Sequence, residues 1–150
     1  MTVLLNEEMA DDVEEIIVNW LIPLRPSASI RLLTDPLPFT LVTHITGSEC
    51  EEESHSEPIV SVHTLCDKTT GLTAVKNECR LTHQRMLRLA RHLDDIPITG
   101  RIASIEYVDV TESPIWVPYG NDAILQKVGR YRIGLQFVAV TPITTTTEPT

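Results

Sequence analysis

Two cysteines and two histidines of this chain have the residue types of a zinc site. His63 and Cys66 stand close together in one apolar run, and Cys79 and His83 are spaced i, i+4, which puts both on one side of a helix. Two thiolates and two imidazoles make a tetrahedral zinc set by type. Their spacing matches no finger pattern, however, and no CxxC is present. Cys79 also falls in an apolar stripe, where a free cysteine packs as a small hydrophobe. The competing reading is therefore a core cysteine with histidines at the core boundary. A Cys/His nucleophilic pair can be drawn from the same residues, but nothing in the sequence supplies an orienting group or oxyanion donors. The acidic run Glu49, Glu51, Glu52, Glu53 and Glu57 has the oxygen ligands that Ca²⁺ or Mg²⁺ prefers. It lacks the Asp/Asn/Gly pattern of a calcium loop, and a solvated loop is the simpler reading. The six glycines are isolated, so no GxGxxG or Walker loop exists, and GxSxG is absent. These observations predict no enzyme, no cofactor and no bound metal.

The remaining chemistry is that of surfaces. Lys76, Arg80, Arg88 and Arg91 lie on one half of a helical wheel, with Arg85 at its edge. A solvated helix face is the plain reading. The formal net charge of −9 argues against a general nucleic-acid binder, which needs excess cations to displace counterions from phosphates. An acidic wall repels DNA, which is useful where DNA must pass without sticking. Between copies of the chain, the acidic run could meet the basic helix face, steering encounter and fixing register. Rotation closes such a head-to-tail contact into a ring. Trp116 and Tyr119, in a Pro-rich segment, are of the types enriched at interface hot spots, or they fold back over a sheet edge.

The elements that must carry these residues follow from periodicity. A first helix is expected over 7–21, capped by Asn6, with Met9, Val13, Ile16, Ile17, Trp20 and Leu21 on one face and Asp11, Glu14 and Glu15 on the other. Pro23 stops it. A possible short strand spans 29–33, and a clearer one spans 39–45, with Phe39, Leu41, Thr43 and Ile45 on one side and Gly47 closing it. Residues 48–57 read as a loop, and 59–66 as a third strand. A long helix follows from about 69 or 70 to 93, with Leu72, Val75, Cys79, Thr82, Met86, Leu89 and Leu93 as its core stripe. After a turn at Pro97 and Gly100 come a strand over 101–110, a loop over 111–121, and a closing strand over 129–140 that alternates Tyr131, Ile133, Leu135, Phe137 and Ala139 with Arg130, Arg132, Gly134 and Gln136. Clustered strands with few helices imply α+β: a mainly antiparallel sheet of about five strands packed with two helices. A single domain over 1–140 is expected, with a Thr/Pro tail over 141–150 too polar to order itself. A chain of this length buries roughly 70% of its unfolded surface, enough for one aliphatic core. Three cysteines, an odd number, suit a reducing compartment. No signal peptide or apolar run of ~20 residues is visible, so a cytosolic, non-membrane product is expected.

The segments Trp20-Leu21-Ile22-Pro23-Leu24, Leu37-Pro38-Phe39, Val42-Thr43-His44-Ile45-Thr46-Gly47, Thr82-His83-Gln84-Arg85-Met86, Ser113-Pro114-Ile115-Trp116-Val117-Pro118-Tyr119 and Arg130-Tyr131-Arg132-Ile133-Gly134-Leu135-Gln136-Phe137 follow one another in this order. In that order and local flavour the chain, from about Asp11 to Val140, resembles the tail terminator proteins of siphophages, especially those infecting actinobacteria. The resemblance implies a structural virion protein, assembled in the host cytoplasm. It implies a hexameric ring that caps the head-proximal end of the tail tube, stops its polymerisation and presents a surface to the neck. The partners implied are other copies of the chain, the major tail tube protein and a neck or head-completion protein. DNA would pass through without sequence-specific binding. The family has an α/β sandwich fold and no active-site motif, so no residue role carries over. A head-side connector or stopper protein is the alternative in the same class, and a zinc-binding or thiol enzyme the alternative outside it.

Overall fold

The computed structural model describes residues 3–140. The first helix, α1 (Val13–Leu21), starts later than its periodicity predicts. Asp12, not Asn6, caps it: the Asp12 backbone is extended and its carboxylate accepts the Glu14 N–H at 3.0 Å. The residues before the cap run extended, and Glu8–Met9 (β1) pairs antiparallel with Val138–Ala139 (β9). The apolar face Val13, Ile16, Ile17, Trp20 and Leu21 is buried as its spacing requires, whereas Met9 is exposed. The helix ends at Leu21, two residues before Pro23.

Ser27–Ala28 (β2) is the short strand, rather than 29–33, and it pairs parallel with β3 (Phe39–Cys50). Residues 29–36 instead form a turn in which Asp35 Oδ2 accepts the Leu32 N–H at 2.7 Å, and Leu32 O accepts the Asp35 N–H at 3.0 Å. β3 turns at residues 51–54 into β4 (His55–Asp67). This corrects the expectation of a loop over 48–57: Ser48 pairs with Glu57, Glu49 with Ser56 and Cys50 with His55. The backbone ladder is indifferent to the charge of outward-facing side chains, so an acidic run can be strand. Gly47 likewise does not end β3. It sits inside the ladder opposite Pro58, where the two backbones approach closely.

A 3₁₀ turn (Lys68–Thr70), capped by Asp67 through the Thr69 N–H, leads into α2 (Leu72–His92). Val75, Cys79, Thr82, Met86 and Leu89 are buried, while the terminal members of the predicted stripe, Leu72 and Leu93, are exposed. Beyond it, Ile96–Ile98 (β5) and Arg101–Ala103 (β6) form a small hairpin about Gly100. The single strand predicted over 101–110 is thus broken: the chain leaves β6 at Ala103 and re-enters pairing as β7 (Tyr107–Trp116). β8 (Ile124–Gln136) begins earlier and stops earlier than its alternation suggests. The expected C-terminal tail, 141–150, lies outside the described residues.

The main sheet has the order β2-β3-β4-β8-β7, antiparallel except for β2–β3. With the two helices it makes an α+β fold. Both helices lie on the same face, against Val42, Val60, Val62, Val108, Tyr131, Ile133 and Leu135. On the other face Phe39, Leu65 and Ile124, at one end, carry Leu37, Leu41 and Tyr119. Phe39 and Leu41 therefore do share a side, but it is the side turned away from the helices. Ile59, Ser61, His63, Gln126, Val128, Arg130 and Arg132 share that face, by alternation along β4 and β8.

Candidate assembly interface

The four residues of zinc-ligand type do not gather into one site on folding. Cys66 and Cys79 are buried together with Val75. His63, three residues from Cys66 on a strand, faces the opposite side of the sheet, where its ring nitrogens meet Ser61 Oγ at 3.0 Å and Gln126 Oε1 at 3.0 Å. His83 meets Tyr131: His83 Nδ1 and the Tyr131 hydroxyl are hydrogen-bonded at 2.7 Å. Burial pushes the Tyr131 phenol up and the His83 imidazole down, since each charged form loses water. No group of three or more His, Cys, Asp and Glu able to hold a metal occurs among the described residues.

The acidic residues are brought together at the tip of the β3–β4 hairpin. Glu49, Glu51, Glu52 and Glu53 are all exposed, and Ser54, with φ of 53°, closes the turn. Glu57, farther down the hairpin, is half-buried and belongs to a separate cluster. His55 Nε2 lies 2.8 Å from Glu106 Oε2, His55 Nδ1 lies 3.7 Å from Glu57 Oε1, and the His55 ring stacks on Tyr107. Burial, and then the Glu57 carboxylate, raise the Tyr107 phenol to about 12.

Lys76, Arg80, Arg88 and Arg91 are exposed on α2. Arg88 is committed within the chain, to Asp94 at 3.0 Å, and this pairing holds the Asp94 carboxyl below its ordinary range. Lys76, Arg80 and Arg91 make no ion pair with any described carboxylate. Arg85 turns inward: its guanidinium lies 3.4 Å from the centre of the Trp20 ring, its Nε donates to Trp20 O, and Trp20 Nε1 donates to Arg85 O. The two helices are fastened to each other at this point.

Trp116 and Tyr119 part company. Trp116 is not in a loop. It ends edge strand β7, 43% exposed, under Lys127 Nζ at 4.9 Å. Tyr119 folds back onto the Phe39, Leu65 and Ile124 cluster. Between them Trp116, Val117, Pro118, Ile124, Leu125 and Gln126 line an open hollow of about 400 Å³.

Three features escape a linear reading. First, Arg25 is buried beside partners distant in sequence: it donates to Glu78 Oε2 at 2.8 Å, to Glu78 O at 3.0 Å and to the hydroxyls of Thr40 and Thr82. Second, the 29–36 turn holds Ile30, Leu32 and Leu33 in solvent, Leu33 at 96% exposure. Third, on edge strand β3 the His44 N–H donates to Glu14 Oε2 at 2.7 Å, and β2 covers only Thr40 and Leu41. Most of the β3 edge, and the β7 edge with its two irregularities, has no neighbouring strand.

No protein-family model and no curated protein matches the chain. Among the described residues, no helix is long and apolar enough to cross a membrane.

Proposed function

We propose that this protein is a ring-forming structural component of a phage tail, the terminator that caps the head-proximal end of the tail tube. The observation that supports the reading is the five-stranded sheet clothed by helices on one face only, with both edges largely unpaired and an exposed acidic hairpin tip. Copies set edge to edge keep their helices outward and turn the opposite face, with Arg130 and Arg132, toward a lumen. The acidic tip, Glu49 to Glu53, and the uncommitted cations Lys76, Arg80 and Arg91 give each copy complementary ends. Contacts of this head-to-tail kind propagate until rotation closes them. The exposed Ile30, Leu32 and Leu33 and the Trp116 hollow supply the apolar area that charge alone does not.

The test is assembly. Purified protein incubated with tail tube subunits should give ring-sized particles in micrographs and tubes whose growth stops at the capped end. In a phage lacking the gene, tails should be overlong. Tails of normal length that fail to join filled heads would instead identify a head-side connector. Normal tails on intact virions would reject both. At the contact itself, a Lys76→Glu/Arg80→Glu/Arg91→Glu variant should leave the monomer folded and lower ring yield at least tenfold, read by light scattering.

A further inference from the structure

We propose that Cys66 and Cys79 form a reversible disulfide that latches α2 onto β4, with a small peroxide as the oxidant. Cys66 is on the central strand next to its end, and Cys79 is one third of the way along the helix packed above it. Both are buried, and they pack on each other with Val75 and Leu125 around them. Lys127 and Arg25 stand near enough to Cys79 for their charges to favour its thiolate. The neighbouring Cys79, and then burial, push the Cys66 thiol up, while Cys66 pulls Cys79 down, so Cys79 is the more thiolate-like of the two.

A cavity of about 120 Å³ lined by Leu37, Pro38, Asp67, Thr70, Ala74 and Glu78 has Cys66 in its wall. It admits molecules little larger than water and excludes a tripeptide thiol or an aromatic disulfide. The chemistry then balances as follows. Cys79 Sγ, the more thiolate-like sulfur, attacks one oxygen of hydrogen peroxide, the O–O bond breaks, and the Cys79 proton leaves with the departing hydroxide as water. Cys66 Sγ attacks the resulting sulfenic acid at sulfur, and the second hydroxide leaves with the Cys66 proton as a second water. Two thiols have lost two electrons and two protons, and peroxide has become two waters. The exposed Cys50 is remote from this pair in burial and access and serves as the internal contrast.

The experiment uses the full chain with Cys50→Ser, and in parallel the wild-type chain with Cys50 blocked by alkylation. Native protein treated with millimolar peroxide should lose about 2 Da, regain it on reduction, and yield a cross-linked 66–79 peptide. The oxidised form should melt several degrees higher, because the latch restrains the unfolded chain. A bulky aromatic disulfide reagent should leave both buried thiols untouched. Cys66→Ala and Cys79→Ala should each abolish the 2 Da loss. Gain of one or two oxygens without the cross-link, or no mass change until the protein is unfolded, overturns the proposal.

Discussion

At the scale of single residues, the domain is held by polar groups whose partners are far away in sequence. Arg25, 3% exposed in its side chain, is neutralised by Glu78 at 35% exposure and by two threonine hydroxyls. Glu78→Gln leaves the guanidinium without its counter-charge and should cost about 3 kcal/mol in urea unfolding. Converting both residues to methionine should cost less than the sum of the single changes, because they are coupled. His83 gives a pH signature of known sign. Its folded pKa lies below the unfolded value, so the unfolded chain binds a proton more readily. That stability is complete above the unfolded pKa near 6.5 and is lost as pH falls through it. The lowered carboxyls of Glu15, Asp67 and Asp94 act in a different window, below about pH 4.5. Urea titrations from pH 7 to 5 should therefore show stability falling with acid, and His83→Asn should flatten that slope.

Between the elements, the close approach at Gly47 fixes the hairpin. A Cβ there would sit 2.5 Å from Pro58 Cα and 2.6 Å from Glu57 O, on a backbone with φ of 151°. Gly47→Ala should cost about 1–3 kcal/mol and raise amide exchange from residue 46 to 57 while α2 stays protected. The same position shows where sequence reasoning stops. A glycine followed by an acidic run reads as the end of a strand, because side-chain character is all the sequence displays. What keeps the strand going is backbone pairing across the sheet, Ser48 with Glu57 and Cys50 with His55. The long helix and the clean alternation of Tyr131, Ile133 and Leu135 were legible because a half-buried surface writes its period into the residues. The cap at Asp12, the break after Ala103 and the Arg25–Glu78 pair were not, since each is decided by a partner that periodicity does not name. Of the candidate interface, the exposed glutamates and the α2 cations were legible one by one. Their grouping at a hairpin tip, and the loss of Arg85 and Arg88 to internal partners, needed the fold.

For the whole molecule, a net charge of −9 coexists with one cationic helix face, so the proposed association of copies would work against overall repulsion through a local attraction. Ions screen both, but the contact pairs are close and the general repulsion is long-ranged. Ring yield should therefore pass through a maximum as salt is raised from about 10 mM to 1 M, measured by light scattering. The helix-over-sheet arrangement also gives the protein two light-emitting probes that sense different events. Trp20 is enclosed between α1 and the Arg85 guanidinium, and Trp116 stands half in water on the rim of a hollow at the far edge. The blue component of the indole emission will thus follow unfolding, while the red, acrylamide-quenchable component will follow whatever comes to rest on β7, without any dye being attached.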